Sequence, residues 1–230
     1  MYRKDRQNEF YTTLAKKEGF PARSVYKLKE IDEKYRIIKE GNRVLDLGCA
    51  PGSWLLYVSQ KVGNKGKVIG VDIEEIKIPK KTNIVFIKRS VFDLKGPEVD
   101  EAKASSSPSP AAAGLVFKDK VEEDKSFSSP FAAARVFDVV VSDLSPKTSG
   151  VKSLDTGKSL ELAEKSFEIA KSVLLPGGNF VCKIFESESS DAFFKKVKNC
   201  FDFAKRFKPK AVIQKSKEFY IIGRGFRGVF

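Results

Sequence analysis

Apolar residues along this chain follow two spacings. Short runs at 43–47 (RVLDL), 67–72 (KVIGVD), 84–88 (IVFIK), 137–143 (FDVVVSD) and 179–185 (NFVCKIF) predict buried strands of a parallel sheet. Helical spacing appears at 24–35, where Val25, Leu28 and Ile31 share a face behind Ser24 as a cap. It returns at 156–174, where Leu160, Ala163, Phe167, Ala170 and Leu174 form one stripe that Pro176-Gly177-Gly178 ends. A third amphipathic stretch, 191–203, precedes strand candidates at 211–214 and 219–223. Strand and helix alternate, so the expected class is α/β with about seven strands.

One stretch breaks this rhythm. The centre of residues 95–135 is AKASSSPSPAAAG (102–114), in which 11 of 13 residues are Ala, Ser or Pro. Such a composition buries too little apolar surface to fix itself, which predicts a flexible insertion at about 95–135 within a single domain spanning 1–230. The length suits one domain with a substantial core.

Between the first strand and a helix-like run lies Asp46–Trp54, DLGCAPGSW. Gly48 and Gly52 would let the backbone approach a ligand closely, and the helix start would offer N–H donors. The turn lacks the three glycines of a dinucleotide fingerprint and the Lys-Ser/Thr of a phosphate-binding loop, leaving a nucleoside without pyrophosphate as the fitting ligand. Asp46, Asp72 and Asp143 each end a strand pattern and Lys183 lies near the end of another, so a parallel sheet gathers all four along its carboxyl edge. Asp72, ending the second strand, suits a ribose diol because a carboxylate accepts both hydroxyl hydrogens; it equally suits a cap on the following segment. Asp46 either anchors a ligand or holds the turn, and Trp54, the sole tryptophan, either lines the pocket or fills the core.

Lys183 interrupts an apolar strand, where an amine is costly unless it is paired or uncharged. A lysine deprived of water can serve as a general base, whereas one that snorkels from a strand end has only a structural part. Glu218 would reach the same edge only if the last strand ran antiparallel to the others. Lys27 sits among Lys29, Glu30, Asp32 and Glu33, charges that a helix ordinarily solvates.

Charge and composition narrow the chemistry. With 43 Lys+Arg against 30 Asp+Glu the chain carries +13, favouring a polyanionic partner such as RNA, DNA or an anionic membrane. Histidine is absent, which excludes a Ser-His-Asp triad and a His-ligated metal. Cys49, Cys182 and Cys200 show no metal or redox spacing and read as reduced structural thiols. The opening MYRKDRQNEF lacks the apolar stretch of a signal peptide and no run is long enough to span a bilayer, so the expected location is cytoplasmic. Arg3, Lys4, Arg6, Lys16, Lys17, Arg23 and Arg224 flank the polar candidates and suggest a phosphate track.

Taken together the chain resembles the FtsJ/RrmJ (RlmE-like) family of RNA ribose 2'-O-methyltransferases. The likeness rests on ARSVYKLKEI (22–31), DLGCAPGSW, GVDI (70–73), VVSDLSPKTSG (140–150), LLPGGNFVCKIF (174–185) and SKEFYIIGRGF (216–226). The resemblance implies a Rossmann-like class I methyltransferase sheet, mostly parallel with an antiparallel last strand and helices on both faces. It also implies a catalytic tetrad of Lys27, Asp143, Lys183 and Glu218, with S-adenosylmethionine held by Gly48, Gly52, Trp54, Asp72 and Asp143. After the third strand the family has Gly-Asp where this chain has Arg89-Ser90, so the adenine contact falls to Ser90 or to Asp93. The implied partner is RNA, with a uridine of 23S-type rRNA in the ribosomal subunit preferred; no metal or membrane is expected, and the protein is expected to be a monomer. A tRNA anticodon-loop enzyme and a silent RNA-binding relative are the alternatives.

Overall fold

The computed structural model describes residues 3–94, 135–213 and 216–228, the side chains of residues 3–7 excepted. The insertion predicted at 95–135 therefore lies, Arg135 apart, outside the described residues, as do the side chains of Arg3, Lys4 and Arg6. The chain runs α1 (Arg3–Lys17), α2 (Val25–Tyr35), β1 (Arg43–Leu47), α3 (Ser53–Val62), β2 (Lys67–Asp72), β3 (Ile84–Lys88), β4 (Phe137–Ser142), α4 (Lys152–Val173), β5 (Leu174–Phe185), α5 (Glu188–Cys200), β6 (Phe201–Phe207) and β7 (Glu218–Phe226).

All seven strands join one sheet in the order β3-β2-β1-β4-β5-β7-β6. The first five run parallel, while β7 pairs antiparallel with both β5 and β6. The order reverses between β1 and β4, and a doubly wound sheet opens its ligand crevice at such a point, outside the carboxyl ends of the strands. Apolar side chains divide cleanly between the two faces. Val44, Val68, Val139, Val141, Val181, Tyr220 and Ile222 pack with α2 and α3 on one face. Leu45, Leu47, Val140, Phe180, Cys182, Ile184 and Ile221 pack with α4 and α5 on the other. This alternation places Asp46, Asp143 and Lys183, along with Glu218 and Tyr220, on the α2/α3 face.

The strand pattern differs from the sequence reading in two places. No strand forms over the described part of 211–214: Val212 N–H closes a turn onto the Pro209 carbonyl, and Ala211 and Val212 are apolar because they pack into the α2/α3 core. The sixth strand is instead Phe201–Phe207, since α5 stops at Cys200 and the following FDFAKRF pairs with β7. β5 is longer than expected because its parallel register with β4 shifts between Phe137 and Val139, absorbing Pro176-Gly177-Gly178 in an irregularity rather than a loop.

Candidate active site

The polar edge is assembled by strand register. β5 and β7 set Lys183 opposite Tyr220 and Phe185 opposite Glu218, so antiparallel β7 brings Glu218 to the carboxyl ends of the parallel strands. Lys183 Nζ lies 3.1 Å from Asp143 Oδ1 and donates to the Asp143 main-chain carbonyl at 2.7 Å. Across the cleft Lys27 Nζ lies 2.6 Å from Glu218 Oε1. Tyr220 joins the two pairs: its hydroxyl stands 2.8 Å from Asp143 Oδ1 and 2.9 Å from Glu218 Oε1. A phenol has one proton, so it donates to one carboxylate at a time. The result is a continuous line, Lys183–Asp143–Tyr220–Glu218–Lys27, with two cations, two anions and no net charge.

Electrostatics shifts the titration of three groups along this line, Asp143, Lys27 and Tyr220. Burial works against the Asp143 charge, but Lys183, Lys27 and a hydrogen bond from Tyr220 outweigh it and hold its pKa below the ordinary aspartate value. Burial likewise opposes the Lys27 ammonium, and Asp143 and Glu218 reverse that, raising its pKa. Burial first, then the same two carboxylates, push the Tyr220 phenol well above its usual range. Lys183 has only 5% of its side chain exposed, so the Asp143 oxygens are its main solvation.

Tyr220 was not singled out by the sequence reading. The available signal was its position two residues after Glu218, since a strand returns to the same face at every second residue. The charges around Lys27 also differ from expectation, because Asp32 is buried rather than solvated. It accepts from Ile38 N–H at 2.9 Å and from the Tyr57 hydroxyl at 2.8 Å, and lies 3.4 Å from Lys61 Nζ.

Beside the line lies the turn after β1. Gly48 and Gly52 have φ of +78° and +109°, conformations that L side chains rarely adopt. A Cβ at Gly52 would come within 2.6 Å of Ile78, and one at Gly48 within 2.8 Å of Leu144, so both glycines also permit close packing of the walls. α3 starts at Ser53 with no side-chain cap. Asp72 closes the rim, accepting from Ala50 N–H and Glu74 N–H, both at 2.9 Å, with lone pairs to spare on each oxygen. Ser90 caps the short 3-10 turn Val91–Asp93 by accepting from Phe92 N–H, and Asp93 points outward. Trp54, 2% exposed, packs against Tyr220 at 5.9 Å between ring centroids and donates to the Ser24 carbonyl at 2.8 Å. It thus ties the turn to the helix that carries Lys27, a link reinforced by Ala22 N–H donating to Ser53 Oγ at 2.7 Å.

Asp46 tests which ligand fits. Both of its carboxylate oxygens are buried without a hydrogen-bond partner, and burial, then Asp143 and Asp72, push its pKa well up. The carboxylates of Asp72 and Asp143 beside this turn repel a pyrophosphate and favour a nucleoside bearing positive charge, so the residues present fit a cationic cofactor such as S-adenosylmethionine. Because the folded pKa of Asp46 is raised, its burial costs stability increasingly as pH climbs above the unfolded aspartate value of about 3.9. Asp46→Asn is therefore expected to gain on the wild type as pH rises, by about 2–4 °C in melting temperature per kcal/mol of penalty relieved. Ligand-free melts between pH 5 and 8 check this; parallel curves would mean that the Asp46 carboxyl has found a partner.

Among the described residues no group of His, Cys, Asp and Glu could hold a metal ion, and no helix is long and apolar enough to cross a membrane. Of the proposed track, Lys16 and Lys17 are exposed and Arg23 is half-buried near Lys27, whereas Arg224 pairs with Asn179 at the opposite end of β7 from Glu218.

Known proteins share this architecture. A ribosomal RNA large subunit methyltransferase E from Desulfatibacillum aliphaticivorans is 42% identical over 220 residues, 96% of this chain and 91% of that protein. The protein of the same name from Syntrophobacter fumaroxidans is 38% identical over 219 residues, 95% of this chain and 96% of its own. Among solved structures, one titled a ribosomal RNA methyltransferase, from Plasmodium falciparum, superposes with a TM-score of 0.67 at 25% identity, covering 91% of this chain and all of that one. The sequence model of the FtsJ-like methyltransferases matches residues 20–226, from the segment ahead of Lys27 to the end of β7. A sheet with antiparallel β7, the turn at Gly48–Gly52 and near full-length kinship lead to one assignment: the chain belongs to the FtsJ-like methyltransferase family.

Proposed function

We propose that the protein transfers a methyl group from S-adenosylmethionine to a ribose 2'-hydroxyl of large-subunit ribosomal RNA. The observation that carries this reading is the buried line from Lys183 to Lys27, set beside the glycine turn on one sheet edge. The names of the curated relatives supply the RNA, and the charge of +13 suits it. The chain acts in this reading as one catalytic domain, both apolar layers resting on a single sheet, and works as a monomer.

When bound, S-adenosylmethionine supplies a methyl group on a positively charged sulfur, a leaving group that needs no acid. The turn at Gly48–Gly52 would cradle it beside Trp54, Asp143 would meet its positive charge, Asp72 would accept from its ribose, and Ser90 would lie toward its base. The proton lost by the target hydroxyl goes to Lys183, once that ammonium has given a proton of its own to water. The ammonium produced is held by the Asp143 carboxylate and main-chain carbonyl, then releases the proton to water. Lys27 and Glu218 hold the target sugar, and Tyr220 keeps their carboxylate at a fixed distance from that of Asp143. Alignment and local charge, rather than bond strain, supply the rate.

Large ribosomal subunits from cells lacking this protein, incubated with methyl-labelled cofactor, test the reading. Label is expected in rRNA at a linkage that resists alkali, because a methylated 2'-oxygen cannot attack its phosphate. Label on a base, label in tRNA alone, or RNA binding without label would each overturn it.

A further inference from the structure

A second cluster of charge adjoins the edge. Lys217 precedes Glu218 in β7, Lys152 opens α4, and their side chains meet over a cavity of about 170 Å³ lined also by Asp155, Thr156, Phe185 and Ser216. Two ammonium groups brought together repel one another, and the contact with Lys152 lowers the pKa of Lys217 despite the pull of Glu186. The one carboxylate lining the cavity is already engaged: Asp155 accepts from Ser149 N–H at 2.7 Å, Ser149 Oγ at 2.9 Å and Gly150 N–H at 3.2 Å. Phe185 lies two residues beyond Lys183 and is the register partner of Glu218, so the cavity lies at the same end of β5 as the proposed proton acceptor. Val151, just ahead of α4, and Leu154, in its first turn, are apolar and exposed on either side of Lys152. A paired cationic site whose one lining carboxylate, Asp155, is already engaged, at the same end of the sheet as the proposed sugar-binding edge, suits a phosphodiester.

We propose that Lys152 and Lys217 together hold a backbone phosphate of the RNA strand next to the ribose being methylated. This rests on the reading above and deepens it: phosphates adjoining the target ribose are the anions nearest to any group held by Glu218 and Lys27. The pair positions the strand and contributes nothing to proton transfer. It accounts for how a small cleft selects a nucleotide within a polymer over a free nucleoside.

The test uses the full chain and large ribosomal subunits from cells lacking it. The variants are Lys152→Ala with Lys217→Ala, Lys152→Arg with Lys217→Arg, and a control, Lys195→Ala with Lys198→Ala on exposed α5. The alanine pair is expected to raise KM for subunits on the order of ten-fold, the effect of losing one charge-assisted hydrogen bond, with kcat and cofactor Kd unchanged. Its dependence of binding on salt should flatten by about one unit of log K per log unit of salt. The arginine pair should restore both. An unchanged KM and salt slope, an equal effect from the α5 control, or a loss confined to cofactor binding would each overturn the assignment. Absence of methyl transfer by the wild type would instead sink the functional reading itself, so the two failures are separable.

Discussion

Replacing Lys183 with alanine is expected to abolish methyl transfer, by about 10²–10⁴-fold or more, while cofactor affinity stays close to that of the wild type. The reason lies in placement. Lys183 is fixed by two Asp143 oxygens at 2.7 and 3.1 Å, on the sheet edge but across the β1–β4 crevice from the glycine turn. Histidine is absent from the chain, so no imidazole stands by to take the proton. Single-turnover transfer to large subunits gives the rate, and equilibrium dialysis gives the cofactor affinity. A variant that folds, binds cofactor and transfers at the wild-type rate would remove Lys183 from the mechanism.

Asp143→Asn should strike stability as hard as activity. Asn keeps the shape but not the charge, leaving Lys183 without its carboxylate partner, and breaking a buried ion pair from one side costs about 3–5 kcal/mol. Urea unfolding at pH 7 measures this, and equal midpoints would show that the carboxylate is not the counter-ion inferred. The pH dependence carries a definite sign. Asp143 titrates below its ordinary value when folded, so its contribution is complete above about pH 3.9 and drains away as pH falls through the lower folded pKa. Lys27 titrates above its ordinary value, so its contribution is complete below about pH 10.4 and fades as pH rises through the higher folded pKa. Between those limits the line of charges adds a level term, and wild-type stability should owe its variation there to other groups, Asp46 first among them.

Much of this was visible in the sequence because each clue was local. A lysine inside FVCKIF, three aspartates at strand ends and a turn with two glycines four apart are statements about neighbours, and strand periodicity turns them into a common edge. What stayed hidden was set by partners distant in the chain. Tyr220 reads as one more aromatic in a strand until β5 is laid beside it, and Asp32 reads as a surface charge until Tyr57 and the Ile38 amide arrive. The sixth strand was misplaced for the same reason: Ala211 and Val212 are apolar to fill a core, while FDFAKRF earns its strand from β7. The purely local pattern of α1, with weak amphipathy, gave no signal strong enough to place a helix.

β7 is the latest of the seven strands in chain order, yet it sits between β5 and β6 rather than at a margin. During synthesis, then, every earlier element can emerge while Lys183 still lacks its register partner Tyr220. Until residues 218–226 slide into that gap, the nascent polypeptide holds an open seam and, in the proposed reading, no means of gripping a sugar. Competence as a catalyst and completion of the sheet thus arrive in a single closing event, so a fragment ending ahead of that seam would be expected to be both unstable and inert.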